Sequence, residues 1–298
     1  MHNPIRDKTI LFFLIFALSA IAVSQNADAR TVRVPGRSTS KRSGQISADL
    51  SSRPAQNTAN PKNQGPVGPA PKRDLNGAWV GPNGPTRVTY GAIPPLTPLG
   101  EERFKLNKPE GKFTVAASND PMMLCDPQGF PRLIANRGVV EGGLWFVQVP
   151  NRILMLYQNQ RVWRDVWMDG RELPKEVNAK GAPDAAFYGY SVGRWDGDYT
   201  LVIDTTGTDD RTWLDYSGHP HSMDMKVEER YTRVDQRNLE LTVTIEDPQI
   251  YTKPFQLLKT TYLWLPKQDF PETLCVPSEA LEYMNSLAKP VDAGGPSK

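Results

Sequence analysis

From about residue 144 onward, apolar and polar positions alternate in short runs divided by turn residues. In residues 239–246, Leu239, Leu241, Val243 and Ile245 fall on one face and Glu240, Thr242, Thr244 and Glu246 on the other, the period-two pattern of a half-buried strand. Residues 144–149 and 152–158 flank Pro150-Asn151 and read as a hairpin. Residues 188–195 and 199–204 flank Asp196-Gly197-Asp198, where glycine accepts the positive φ of a tight turn. A third hairpin joins 225–234 to 239–246 through 235–238, and 255–265 gives a last strand. Within 160–168 the two faces are mixed. Trp163, Asp165 and Trp167 point one way, and Val162, Arg164 and Val166 the other. An aspartate between two tryptophans fits either a polar group facing a pocket or indole stems covering a charged outer face. On the strand after residue 225, Glu229 shares a face with Val227 and Tyr231, and Glu228 shares one with Arg230; cross-strand ion pairs account for them.

The first half is less regular. Residues 74–80 predict a short strand with Trp79 in the core, and Thr97 before Pro98 is a cap and first-turn pair for a helix over 98–106. Residues 119–131 carry turn chemistry, and 278–287 read as a closing helix. Successive hairpins with one or two short helices predict a mainly β domain, an antiparallel meander closed into a barrel or curled sheet; a two-sheet sandwich is the alternative.

Composition bounds the rest. Residues 1–29 have the form of a secretory signal: Arg6 and Lys8, an apolar run from Ile10 to Val23, and Ala27-Asp28-Ala29 as the cleavage site. Residues 30–73 are polar and Pro-rich, with Arg30, Arg33, Arg37, Lys41 and Arg42, and read as a flexible basic tether. Residues 74–289 then form a single β domain, with 290–298 a loose tail. The mature chain is expected to be secreted, periplasmic in a Gram-negative source, with no transmembrane segment and no nucleic-acid partner. In an oxidising compartment Cys125 and Cys275 predict one disulfide, with two buried free thiols as the alternative.

Candidate chemistry concentrates in residues 205–222, a long polar segment between two strands. It carries both histidines the mature chain would keep, His219 and His221, together with Asp209, Asp210, Asp215, Arg211 and Trp213. Pro220 favours an extended backbone at His219, so the two imidazoles are expected to share a side. Three readings follow. Both histidines with Asp209, Asp210 or Asp215 could hold zinc or another divalent metal, although no cofactor is the primary expectation. One imidazole tuned by a carboxylate could act as acid–base or bind a ligand, with Asp215 as orienter. Alternatively both rings hold the loop. Ser222 beside His221 lacks a nucleophile elbow. The Arg211 fork suits Asp209, Asp215 or a substrate's acid group.

Tyr190-Ser-Val-Gly-Arg-Trp-Asp-Gly-Asp198, Asp210-Arg-Thr-Trp-Leu-Asp215, Gly218-His-Pro-His-Ser222, Glu228-Glu-Arg-Tyr-Thr-Arg-Val-Asp235 and Thr244-Ile-Glu-Asp-Pro-Gln-Ile-Tyr-Thr-Lys-Pro254 resemble a widespread family of uncharacterised exported bacterial proteins. The likeness covers most of residues 74–275. The Gly-x-Trp opening and successive hairpins are also distantly similar to lipocalin-like barrels, which implies a pocket for a small, partly apolar molecule and no particular activity. The expected site is a pocket at one barrel end, lined by Trp213, Trp163, Tyr251 and Asp209, with His219, His221, Asp215 and Arg211 as candidate catalytic residues. Three functions are weighed: a binding protein; a hydrolase, isomerase or lyase; and a structural envelope protein. The ligand and the oligomeric state stay open.

Overall fold

The computed structural model describes residues 62, 64–81, 88–110, 112–135 and 143–288. The expected signal segment, the expected tether up to residue 61 and the expected tail 290–298 lie outside the described residues.

Among the described residues ten strands form one sheet. They are β1 (Gly77–Val80), β2 (Val88–Tyr90), β3 (Gly143–Val149), β4 (Arg152–Tyr157), β5 (Trp163–Trp167), β6 (Tyr190–Asp196), β7 (Thr200–Thr206), β8 (Lys226–Arg233), β9 (Asn238–Glu246) and β10 (Phe255–Trp264). The order is β1-β3-β4-β5-β6-β7-β8-β9-β10-β2, and β1 also pairs with β10 through Trp79↔Trp264 and Val80↔Leu263. That pairing closes a nine-strand barrel, with β2 laid beside β10, and the sandwich alternative does not form. The barrel is mixed rather than purely antiparallel, because β5 and β6 run parallel through Val166↔Ser191 and Trp167↔Val192. The connection 168–189 carries the chain back to the end where β5 began, so β6 starts in the same direction. β2 was not expected from the sequence.

Helix α1 (Pro98–Leu106) starts where the sequence placed it, with Thr97 Oγ1 accepting from Gly100 N. A four-residue helix α2 (Arg132–Ala135), wholly buried, was not expected; α3 (Pro277–Tyr283) buries no residue. Phe130, Leu133 and Ile134 join the barrel's own core at one end, and Leu75 and Trp79 belong to the same core. At the opposite end of the strands, the Arg233 guanidinium lies 5.0 Å from the Trp79 ring and 5.3 Å from the Trp264 ring.

The inward faces follow the alternation. Leu239, Leu241, Val243 and Ile245 are buried on β9, and Val227 and Tyr231 on β8. A bulge between Gln256 and Leu258 breaks the period on β10, so that Leu257 and Leu258 are both buried. Inside lies a buried ion pair. Arg164 donates from Nη2 to Glu229 Oε2 (2.8 Å) and from Nη1 to Oε1 (3.2 Å), and to the hydroxyls of Tyr157 (3.0 Å), Ser191 (3.0 Å) and Thr205 (3.1 Å). Tyr231 Oη donates to Glu229 Oε1 at 2.8 Å. Burial opposes the Arg164 charge, but Glu229 beside it holds the guanidinium protonated above its ordinary range. The cross-strand ion pairs expected at the surface do occur, Arg194 with Glu228 and Arg230 with Asp196, but Glu229 is not among them.

Two other features fix the domain. Cys125 and Cys275 form the expected disulfide, with Cα atoms 5.4 Å apart. Residues 64–73, read above as the last part of the tether, are hydrogen-bonded to the barrel. Gly65 O accepts from Arg237 Nε (2.7 Å), Gly68 O accepts from Gln236 N (3.0 Å) and Arg73 N donates to Asp198 O (2.6 Å). Main-chain carbonyls make most of this attachment, which is why composition does not reveal it. A Cβ at Gly65 would lie 2.2 Å from the Trp264 ring, so the strap passes where only glycine fits.

Candidate functional site: a cleft beside the long loop

The register places the C-terminal ends of β7 and β9 and the N-terminal ends of β8 and β10 together, so loop 207–225 lies beside the β9–β10 connection. Four contacts pin it. Asp247 accepts from Ser222 N (2.7 Å) and Ser222 Oγ (2.8 Å). Tyr251 Oη donates to Pro220 O at 2.8 Å. From α1, Arg103 Nη1 donates to His221 O (3.2 Å) and Asn107 Nδ2 to Gly218 O (2.8 Å). Both the backbone N–H and the hydroxyl of Ser222 are thus engaged by Asp247, so the residue serves as a clamp on the loop.

Within this frame Asp215 organises the loop's tip. Its Oδ1 accepts from Ser217 N (2.9 Å) and His219 N (3.2 Å), a local Asx-type turn, and Gly218 takes a φ of 82° to let the chain reverse. Asp215 Oδ2 lies 2.7 Å from His219 Nδ1. A carboxylate at Nδ1 selects the tautomer with its proton there, which in the neutral imidazole leaves Nε2 as the acceptor; Nε2 has no hydrogen-bond partner among the described residues. Phe104 of α1 stacks on the imidazole, with centroids 4.8 Å apart and planes 3° from parallel.

His219, Asp215, Tyr216 and Ser217 line a half-open cleft of about 470 Å³ whose other walls include Tyr90, Ile93, Leu257 and Ala135. The walls are braced. Tyr90 Oη donates to Ala135 O (2.9 Å) and Tyr216 Oη to Gln128 Oε1 (3.1 Å). The Arg132 guanidinium lies 4.2 Å from the centre of the Tyr216 ring and is held by Asp120 in a bidentate, buried pair of 2.9 and 2.5 Å. Burial pushes the Tyr216 phenol up to about 12, so it is a neutral hydroxyl at physiological pH.

The other expected site residues lie elsewhere. His221 is fully buried, with one ring nitrogen 2.8 Å from Thr212 Oγ1 and the other 3.1 Å from Ser222 O. The two imidazoles do not share a side. A carboxylate and a stacked phenyl ring keep His219 at the cleft, while threonine hydroxyls and burial draw His221 inward. Arg211 is largely exposed and closes on Asp209 at 2.9 and 2.5 Å, away from the cleft; its hydrogen bonds hold the Asp209 carboxyl below the usual carboxylate range. Trp213 is 4 % exposed and lies 5.2 Å from Arg132, so it supports the wall from behind. Tyr251 is buried, its hydroxyl occupied by Pro220. Trp163 stands on the outer face of β5, 65 % exposed, and does not line this cleft. Among the described residues no group of three His, Cys, Asp or Glu side chains is placed to hold a metal ion, so His219, His221 and Asp209 do not make one.

Of the expected constellation, His219 and Asp215 meet in the cleft. Tyr216 and Ser217 were missed, although their place between Asp215 and His219 in the candidate loop was an available signal. Tyr90, Ile93, Leu257 and Phe104 carried none, since they arrive from separate elements.

Burial makes His221 a pH sensor of stability. It lowers the affinity of the folded ring for a proton relative to an unfolded histidine near 6.5. As pH falls below that value the unfolded chain takes up a proton that the folded chain refuses. Stability is therefore full above pH ~6.5 and drops by up to about 1.4 kcal/mol per pH unit below it. Urea midpoints at pH 7.5, 6.0 and 5.0 should show this decline, and His221→Gln should flatten it; an equal slope in the variant would assign the decline to other groups.

The chain matches no family model, no curated protein and no solved structure.

Proposed function

We propose that the protein binds a small, partly apolar molecule in the cleft beside loop 207–225, and that the ligand donates a hydroxyl to His219 Nε2. The observation that carries this is the 2.7 Å contact of Asp215 with His219 Nδ1, which leaves an acceptor nitrogen in a cleft walled by Tyr90, Ile93 and Leu257. A hydrophobic body against those walls and one hydrogen bond to the imidazole are the recognition elements. The disulfide, the signal-like start and the resemblance to exported bacterial proteins support action outside the cytoplasm. No helix among the described residues is long and apolar enough to cross a membrane.

The test uses p-cresol as a phenolic probe, with ¹⁵N NMR of the histidine rings. The expected result is a titratable shift of His219 Nε2 that toluene does not reproduce and that disappears in His219→Ala. An unmoved Nε2 across the titration would remove the reading.

A second reading rests on the same pair. An imidazole oriented by a carboxylate is the arrangement of a general base, with His219 Nε2 abstracting a proton from a bound hydroxyl or water. Arg211 and His221 have no part in it. Hydrolysis of p-nitrophenyl acetate that saturates with substrate and is lost in His219→Ala and Asp215→Asn would favour an enzyme; a rate equal to that of free imidazole would favour binding alone.

A further inference from the structure

A second cleft opens on the side wall of the barrel, and it is independent of the His219 site. β5 and β6 pair through only two residue couples, Val166↔Ser191 and Trp167↔Val192. Before that short contact the strands part, and a cleft of about 280 Å³ lies between them, lined by Trp163, Asp165, Trp167, Tyr188 and Tyr190, with Arg164 and Ser191 also reaching it. Main-chain pairing is as short here as at the β1–β10 seam, and aromatic residues gather at this gap.

The walls differ in what they still have to offer. Trp167 is covered, with the Arg152 guanidinium 3.8 Å and the Arg171 guanidinium 3.5 Å from its ring centre. Among the described residues Trp163 carries no such neighbour, and it is 65 % exposed, so an indole face is open beside the cleft. Asp165 Oδ1 accepts from Arg152 Nη1 at 2.9 Å, and Oδ2 has no partner among the described residues. Tyr188 also has an uncommitted hydroxyl among the described residues. Buried or half-buried polar groups without partners are costly in a finished structure, and a ligand can satisfy them.

We propose that this side cleft binds a single pyranose ring of a neutral carbohydrate, stacked on Trp163 and hydrogen-bonded by Asp165 and Tyr188. The chemistry selects among ligands as follows. The Trp167 wall is already covered by the guanidinium groups of Arg152 and Arg171, which rules against the aromatic-cage mode of ammonium recognition. A flat hydrocarbon would bury the Asp165 carboxylate and the Tyr188 hydroxyl without giving either a partner. A pyranose has an apolar face of C–H bonds for the indole and an equatorial rim of hydroxyls that donate to a carboxylate and both donate to and accept from a phenol. The volume admits one such ring. The guanidinium groups over Trp167 each have an acidic partner, Arg152 with Asp165 and Arg171 with Asp169, and Arg164 pairs with Glu229 in the barrel interior. The cleft is thus close to neutral, as a neutral ligand requires.

The test follows the indole N–H resonance of Trp163, assigned by its loss in Trp163→Phe, while the full chain is titrated separately with glucose, galactose, mannose and N-acetylglucosamine. At least one sugar is expected to shift that resonance saturably, with a Kd on the order of millimolar for a single ring. Asp165→Asn should weaken that binding about tenfold, equivalent to roughly 1.4 kcal/mol. Trp163→Ala, read through the saturation-transfer signal of the sugar, should abolish it, and His219→Ala should leave it unchanged. Because Trp163 is exposed, the alanine variant is expected to fold, and an unchanged circular-dichroism spectrum checks this. No saturable shift with any of the four sugars, a saturation-transfer signal that survives Trp163→Ala, or a stronger response to choline than to the sugars would each overturn the assignment. Loss of the p-cresol response described above with the sugar response intact would separate failure of the loop cleft from failure of this one.

Discussion

Glu229→Leu should destabilise the protein by about 3–5 kcal/mol, because it leaves the Arg164 charge inside the barrel without a counter-ion. Both side chains are essentially inaccessible, at 1 % and 0 % exposure, so solvent cannot screen the orphaned guanidinium. Arg164→Met should cost a similar amount at neutral pH and less in acid, where the stranded carboxyl can take a proton. The double replacement should recover most of the loss. It removes both charges, and Ser191 and Thr205 still have each other at 2.8 Å. It should not recover all, since Tyr231 loses its acceptor and Tyr157 its donor, a residual of about 1–2 kcal/mol. Urea unfolding of the four proteins gives the coupling directly. Single variants that each cost under ~1 kcal/mol, or a double variant equal to the sum of the singles, would show that the pair does not act as a unit.

Glu229 also shows what the sequence made legible. It sits between Val227 and Tyr231 on a strand of alternating burial, and Arg164 sits between Val162 and Val166. Period two grouped Glu229 with Val227 and Tyr231, but in 160–168 the two faces were mixed, with tryptophans opposite Arg164, so neither charge could be assigned to the interior from its own strand. Nothing in either strand said that they would meet, because β5 and β8 are not neighbours in the sheet and the contact crosses the barrel interior. The hairpins were legible for the same local reason. Asp196-Gly197 and Pro150-Asn151 are turn signals acting over a few residues, and β6–β7 and β3–β4 form where they predict. Parallel pairing of β5 with β6 was hidden, since it depends on where the irregular connection 168–189 leads.

The loop was identifiable as a place of interest from its length and its histidines, but the division of labour inside it was not. Residues i and i+2 of an extended chain do point alike, and His219-Pro220-His221 satisfies that rule in sequence. Asp215 overrides it by accepting from both the backbone and the ring of His219, while Thr212 and the Ser222 carbonyl claim His221. Side-chain hydrogen bonds worth about 1 kcal/mol each are enough to turn a ring when the backbone preference is only statistical. The cleft needed still more distant information, because Tyr90 and Leu257 come from β2 and β10, Ile93 from the segment after β2, and Phe104 from α1.

Removing the Cys125–Cys275 bond, by reduction or in the Cys125→Ser, Cys275→Ser double variant, should be the other large perturbation. The two cysteines are separated by 150 positions. Loop-closure entropy for a ring of that size sets a ceiling of about 5 kcal/mol on what the bond contributes. The measured loss should be smaller, about 2–3 kcal/mol, because the folded chain can also relax once the bond is gone. α3 buries no residue, and neither does the 3₁₀ turn Pro121–Leu124 that precedes Cys125. Those two segments have little besides the disulfide to hold them, so they should open locally while β7, β8 and β9 stay closed. The consequence reaches the cleft, since Tyr216 Oη lies 3.3 Å from Met122 Sδ on that same turn. Hydrogen exchange in the reduced protein is expected to rise first in 121–125 and 277–286, with weaker p-cresol binding at His219 alongside it. Equal exchange in those segments, with stability lost uniformly across the strands, would place the bond's effect in the barrel itself and leave the cleft wall independent of it.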